Sequence, residues 1–539
     1  MNNSNDFVKG YKRIAKPICV ITVLGIAFLA MIPGASAGCV VGPGQTPIAG
    51  ALVKLVLYPT YSNLTDASGC YILQNVPNGT YEISASKAGY STNTSTVFVP
   101  ATQGVEVTKD FILSPGGFVG EYRYYSLSAN GVSAKKLAIQ STSGTSFIVP
   151  QYGDNGVWKT TVRITDMSGL GTTVTVKYYD TSGNNLVTEN IPIPANGTIS
   201  FIPSDGTNNR PTTGKLLITS TQNIAGTYTI SKTDPSDKTM MTQSFYSPTE
   251  AASNLIIPQY GDKTMWGTTV AVSDVLGTGA TLNVQYYDTS GTLIHTESQT
   301  VPPNGMVQWF PTMNPSTPSI GKIVITSTAN VIGEYRMYKL AGTGLSSNKL
   351  YSSADYGTQF SIPQYGDKTT WGTYVAVSDV TGLGAALTVK YYDMSGALVY
   401  TESRTVPPNG MVDWFPTLIP STPATGKMEI TSSSNVVGEY RIYSLDNYDL
   451  LQMSLYSNAD QAATFVVPYY GNNIDMGSFI AISDVSGVGA TLTVRYYTLG
   501  GVNTATTTKT LPPNGMVQWF PHTGDGVGAP SEGKVVISS

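Results

Sequence analysis

The feature that most constrains this chain is a fourfold internal repeat. Pro150, Pro258, Pro363 and Pro468 each sit in a Pro-(Gln/Tyr)-Tyr-Gly segment and lie 108, 105 and 105 residues apart. Asn196, Asn304, Asn409 and Asn514, each followed by Gly, repeat the same spacings. A period near 105 is too long for a solenoid unit that leans on its neighbours. It is the size of a self-contained β-sandwich, so the expectation is four modules strung like beads.

One copy supports that expectation. Its pattern predicts strands over 331–338, 359–365, 373–380, 386–393, 398–406, 411–415 and 427–432, separated by turn residues. Leu387, Val389 and Tyr391 alternate with Thr388 and Lys390, and Leu282/Val284/Tyr286 and Leu492/Val494/Tyr496 repeat the pattern, so one face packs inward. After the N-terminal segment, Gly, Pro and β-branched residues interrupt every helix-length window. The predicted class is all-β, with tandem antiparallel sandwiches. The repeat is similar to immunoglobulin-like surface repeats of prokaryotes. Predicted boundaries are 116–222, 223–329, 330–434 and 435–539.

All six tryptophans occupy two slots of the repeat. Trp158, Trp266 and Trp371 share one slot with Met476. Trp309, Trp414 and Trp519 share the other with Phe201. Met cannot serve as a flat sugar platform but substitutes for Trp in a core, so all six are expected in the core. Gly-Glu-Tyr-Arg supplies Glu121/Arg123, Glu334/Arg336 and Glu439/Arg441, two apart and hence on one strand face. Thr227 and Thr229 replace both members together, which predicts that they pair with each other. An exposed pair of this kind contributes ~0.2–1 kcal/mol.

Chemistry-bearing patterns are sparse. Asp180, Asp288 and Asp393 open Asp-x-Ser-Gly segments between strands. These resemble the Asp-Thr-Gly of aspartic peptidases but carry an extra residue, so they read as hairpin turns. His295 and His522 are the only histidines and fall at unrelated repeat positions, which excludes a recurring triad or zinc site. Recurrent Asp154, Asp262 and Asp367, and Asp166, Asp274, Asp379 and Asp484, either serve turns or offer calcium ligands; turns are the expectation, and no cofactor is assigned. The net charge of −4 and the absence of a later basic run exclude nucleic-acid binding.

Residues 38–115 follow a different pattern. Pro47 to Val53 reads Pro-Ile-Ala-Gly-Ala-Leu-Val, Thr65 to Tyr71 holds Thr-Asp-x-x-Gly-x-Tyr, and Asn75 to Tyr81 holds Asn-x-Pro-x-Gly-x-Tyr. Lys87-Ala88-Gly89-Tyr90 follows. This resembles the carboxypeptidase regulatory-like domain, over 14 % of the chain. The resemblance implies a transthyretin-like sandwich, an accessory module without an active site. Cys39 and Cys70 are expected to form a disulfide. Asn63, Asn78, Asn93 and Asn196 are acceptor sequons for glycosylation.

Lys9, Lys12, Arg13 and Lys16 precede the apolar run 18–32, and Ala35 and Ala37 form a small-x-small site. The expected outcome is a cleaved signal peptide over 1–37, which also removes Cys19. An uncleaved anchor and a lipid on Cys39 are the alternatives, the latter excluding the disulfide. The leading functional expectation is a non-catalytic structural or adhesive protein of the cell surface, with modules as spacers or lateral contacts to surface proteins or glycans. The alternative is a carbohydrate-binding or accessory protein of an extracellular hydrolase system. That alternative depends on exposed Tyr152, Tyr260, Tyr365 and Tyr470 and the outward tyrosine of each Tyr-Tyr pair. Finally, if the Gly-Glu-Tyr-Arg strand completes the preceding module, the first such strand is a spare that another molecule's last module can accept. If it begins its own module, nothing is donated.

Overall fold

Three of the four repeats are built on one strand long enough to serve two sheets. Gly214–Lys232, Gly321–Lys339 and Gly426–Ser444 run 19 residues each. The computed structural model describes residues 35–539 apart from 43–46, 59, 88–89, 91–92, 101–105, 114–116, 128–130, 140–141, 154–155, 204–208, 446–449, 472–475 and 522–527. Residues 1–34 of the expected leader, with Cys19, and also Asp154 and His522, lie outside the described residues. The chain divides into two units, Met1–Ser114 and Pro115–Ser539. No helix among the described residues is long and apolar enough to cross a membrane.

In the first repeat, the early half of Gly214–Lys232 pairs with Gly144–Tyr152 and Thr172–Tyr179, and the latter carries Asn185–Ile193 at its edge. The later half pairs with Trp158–Asp166 and Met240–Ser244, and Thr198–Phe201 borders Trp158–Asp166. One strand is therefore the spine of both layers. Val162, Ile164, Val174, Val176, Tyr178, Ile218 and Tyr228 fill the space between them. The second and third repeats reproduce this plan.

The fourth repeat has a divided spine. Gly533–Ser538 supplies the early half, against Thr464–Tyr470 and Ala490–Tyr497. Phe118–Ser126, from the other end of the unit, supplies the later half. It pairs antiparallel with Met476–Asp484 from Ser126↔Met476 to Phe118↔Asp484. The two halves meet: Ala462 N–H donates to Phe118 O and Ser539 N–H to Ala463 O. The unit is thus a closed ring of four sandwiches and not a string of beads. The boundaries expected at 222/223, 329/330 and 434/435 cut through the spine strands. The spare strand is not spare either, because the chain's own last repeat takes it.

Four short strands, Val132–Lys136, Met240–Ser244, Leu345–Lys349 and Leu450–Ser454, stand around the ring's centre, each against its two neighbours.

The first unit packs two sheets. Ala35–Val41 pairs with Cys70–Leu73, Glu106–Thr108 and Phe111–Ile112. The other sheet is Ser62–Leu64, Leu52–Leu55, Gly79–Ser86 and Asn93–Val99. Its turn chemistry explains the motif residues. Thr65 Oγ1 donates to Ile48 O and accepts from Ala51 N–H. Asp66 accepts from Ser68 and from Cys70 N–H, which holds its carboxyl below the usual range. Gly69 has φ 79°, and a Cβ there would lie 2.6 Å from Val40 O. Cys39 and Cys70 face each other in register and are joined by a disulfide. It closes a 31-residue separation, so Cys70→Ser is expected to destabilise this unit by about 2–4 kcal/mol in urea unfolding. Ala35–Ala37 pair with Glu106–Thr108, so cleavage after Ala37 would remove that short ladder.

Candidate functional site

The seams between repeats hold the most polar chemistry of the ring, and one bond set recurs at all four. Lys215, Lys322, Lys427 and Lys534 follow the glycine that opens each early spine half. Their Nζ atoms donate to the carbonyls of Asp274, Asp379, Asp484 and Asp166, each in the next repeat. Ser273, Ser378, Ser483 and Thr165 donate back to the carbonyls of Pro150, Pro258, Pro363 and Pro468. The three Asp-x-Ser-Gly turns, and the Thr498-Leu499-Gly500-Gly501 turn in the fourth repeat, also face a neighbour. The carbonyls of Thr181, Thr289, Met394 and Leu499 accept from the N–H of Met306, Met411, Met516 and Thr198. Approach is so close that a Cβ on Gly291 would lie 2.0 Å from Pro408 O.

The recurrent Asp residues outside those turns accept from nearby N–H and O–H donors. Asp379 accepts from Thr381 and from Asn409 N–H. Burial alone would raise its carboxyl, but those donors outweigh burial and hold it low. Asp262 accepts from Thr264, Met265 and Trp266, and Asp367 likewise from Thr369, Thr370 and Trp371. Among the described residues no three His, Cys, Asp or Glu side chains gather.

A second layer of seam bonds lies nearer the centre. Arg336 and Arg441 pair with Glu334 and Glu439 on their own strands, and Arg123 with Glu121. The glutamates are fully buried, which corrects the expectation of an exposed pair. Alternation along the strand marks the face opposite the sandwich core, but in a ring that face meets the next repeat. Tyr228, Tyr335 and Tyr440 donate to Glu334, Glu439 and Glu121 across three seams. The arginines reach back to the carbonyls of Gln151, Gln259 and Gln364. Burial pushes the Glu121 and Glu439 carboxyls up, opposed by their arginines.

The seam between the fourth and first repeats differs. Thr227 and Thr229 stand where the others have Glu and Arg, and Tyr469 replaces the glutamine. Arg163, from the adjacent strand, lies 4.2 Å over the Tyr469 ring, and Tyr124 Oη donates to Tyr469 O. The joint loss of Glu and Arg thus coincides with a changed partner.

Around the centre, Gln452 Nε2 donates to Glu439 and Tyr335, and Ser346 Oγ donates to Gln452 Oε1. Lys135 reaches Ser347 O of the opposite short strand. Burial pushes its ammonium down to about 7, against the attraction of Glu334. An unfolded chain holds this proton up to about 10.5, so the unfolded state binds more protons between those limits. This group therefore makes stability rise with pH from 7 toward 10, by up to ~1.4 kcal/mol per unit. Lys135→Met, which copies Met453 at the matching position, is expected to lessen the rise of stability between pH 7 and 8 in denaturation curves, while the buried Lys215, Lys322 and Lys534, pushed down to about 8, keep part of the rise above pH 8.

Trp309, Trp414 and Trp519 are buried, each donating to Tyr286, Tyr391 or Tyr496. Trp158, Trp266 and Trp371 are only half-buried at strand starts, a departure from the expected core. Tyr152, Tyr260, Tyr365 and Tyr470 are wholly buried, and their hydroxyls donate to Pro211, Pro318, Pro423 and Pro530 carbonyls. The outward Tyr179, Tyr287, Tyr392 and Tyr497 lie under the seam lysines. The proposed sugar platform therefore has no exposed tyrosine among these. Of the sequons, Asn63 and Asn78 are exposed, while Asn93 and Asn196 are half-buried. Asn196 takes φ 57° and its N–H donates to Asp166. Asn63 and Asn93 donate to Ile72 O and Ile112 O.

The two-sheet first unit and its Thr65–Tyr71 turn settle that segment's relationship. Residues 37–114 match the carboxypeptidase regulatory-like domain. The regulatory-like domain is 78 of 539 residues, so it names one unit and not the chain. None of the curated proteins compared matches the chain. Among solved structures, the major pilin subunit of Bacillus cereus is 14 % identical, covering 60 % of this chain and 96 % of the pilin at a TM-score of 0.14. A Thermotoga maritima protein is 11 % identical, covering 20 % and 95 % at 0.18. A type II cohesin–X-dockerin chain of Acetivibrio cellulolyticus is 21 % identical, covering 16 % of this chain at 0.14. The match spans 59 % of that chain and 53 % of a second of its kind. Scores this low do not amount to a shared overall arrangement.

Proposed function

We propose that this is an exported, non-catalytic protein of the cell surface whose four-repeat unit is a rigid platform and not an extensible spacer. The observation that carries the reading is the pairing of Phe118–Ser126 with Met476–Asp484. It ties the two ends of the unit together, so the repeats cannot extend one after another under load. Export is supported by the leader pattern and by the Cys39–Cys70 disulfide, which belongs to an oxidising compartment. The regulatory-like domain adds an accessory module of a family without its own active site. Four similar outward loop sets held at fixed spacing suit multivalent contacts with surface proteins or glycans, where weak single contacts add up.

Antibody raised against the four-repeat unit is expected to label intact cells, and added protease to shave the chain from them. Recovery of the chain in the cytosolic fraction, with Cys39 and Cys70 both reactive to a thiol reagent, would sink the reading.

A further inference from the structure

The four seams share their backbone bonds but not what fills them. Thr161, Thr269, Tyr374 and Phe479 hold one position of the repeat, three residues after Trp158, Trp266, Trp371 and Met476. Between the second and third repeats, the Tyr374 ring lies 5.1 Å from the Phe415 ring and packs with Met411 and Tyr443. The Arg441 guanidinium lies 5.1 Å from its centroid. Between the third and fourth repeats, Phe479 is placed the same way, 5.3 Å from Phe520, beside Met516 and Tyr125, with Arg123 at 4.9 Å. Each of these two seams carries a ring held between aromatic neighbours and a guanidinium.

Between the first and second repeats that ring is missing, because the residue is Thr269. The walls that match those around Tyr374 remain: Met306, Phe310, Arg336 and Tyr338 line a cleft of about 700 Å³. Thr269 itself is occupied in accepting from Gln308, which in turn accepts from Gln151. Lys232 and Lys339 also line the cleft, and no carboxylate is among its described lining residues. The fourth seam, at Thr161, keeps only about 210 Å³, with Arg163 stacked on Tyr469 among its lining residues.

We propose that the cleft at Thr269 binds a planar aromatic ring carrying, or flanked by, a carboxylate. The ring takes the place that Tyr374 and Phe479 hold in the sibling seams, against Phe310 and the Arg336 guanidinium. The carboxylate meets Lys232 and Lys339. The volume is that of a small-ligand pocket, which suits a free aromatic acid or an aromatic side chain within a short acidic peptide.

Two probes distinguish these sources: 4-hydroxyphenylacetate and the peptide acetyl-Glu-Tyr-Glu-amide. Each is titrated against the full chain by calorimetry and by ligand-observed NMR. Saturable binding of either at one site per chain is expected, the tighter probe naming the source. Thr269→Tyr supplies the missing ring and is expected to weaken binding at least about tenfold while the melting temperature holds or rises. Lys232→Gln, which keeps most of the side chain's length over the Trp158 ring, is expected to weaken it several-fold, which keeps the test decisive if the first variant folds poorly. Failure of both probes to saturate, or binding unchanged in both Thr269→Tyr and Lys232→Gln, would overturn the proposal.

Discussion

Removing Phe118–Ser126 from the full chain is expected to unfold the fourth repeat and open the ring. The strand pairs with Met476–Asp484 over its whole length. Its Phe118, Tyr122 and Tyr124 are buried in the fourth core with Ile480, Tyr496 and Trp519. At ~1.5–3 kcal/mol per buried side chain, those three residues alone contribute on the order of 5–9 kcal/mol. That is comparable to the whole stability of a small domain. Amide exchange of Met476–Asp484 and limited proteolysis near Ala462 report the effect. A peptide spanning 117–127, added in excess, is expected to restore protection, because the vacated edge accepts a strand in trans. Tyr122→Pro is a gentler version, removing one ladder donor at the pair with Ile480. Full protection of Met476–Asp484 in the deletion chain would show that closure is incidental to the fold.

Glu439→Ala is expected to cost about 3–5 kcal/mol, because it strips a buried charge of its partner. Three groups lose their acceptor at once: Arg441 on the same strand, Tyr335 across the seam and Gln452 near the centre. The double variant Glu439→Thr/Arg441→Thr copies Thr227 and Thr229 and leaves no unpaired ion. Its cost is expected to be clearly smaller than that of Glu439→Ala. Denaturant midpoints of wild type, Glu439→Ala, Arg441→Ala and the double variant measure the difference. A double variant as damaging as Glu439→Ala would mean that packing volume, and not the uncompensated charge, carries the loss.

The strands of the repeat were largely legible in the sequence, and their neighbours were not. The strand expected over 398–406 is observed as Leu398–Val406, and the one expected over 386–393 as Ala385–Asp393. Alternation at Leu387, Val389 and Tyr391 also names the core face, since all three are buried. Periodicity says which side of a strand is apolar, but not which segment lies beside it. The strands expected over 427–432 and 331–338 are the two ends of one spine motif, as the continuous Gly426–Ser444 shows. The short strand Leu345–Lys349 was missed because Ser346, Ser347 and Asn348 read as loop, yet all three are buried against sister strands. Glu334 and Arg336 were read as surface for the same reason. In a closed ring one repeat's outside is its neighbour's inside. The open cleft had a sequence trace, the single Thr269 in place of an aromatic, but its meaning required knowing that the sibling rings fill a seam.

The joining of Ser539 and Phe118 at Ala462 and Ala463 bears on how such a gene can vary. In an open array, recombination between near-identical copies adds or drops a unit and leaves the survivors intact. Here four junctions complete a full turn, so each is shaped for a quarter of it. A three-copy or five-copy descendant would have to bend every junction to a new angle before its ends could meet. Copy number is therefore set by the geometry of closure.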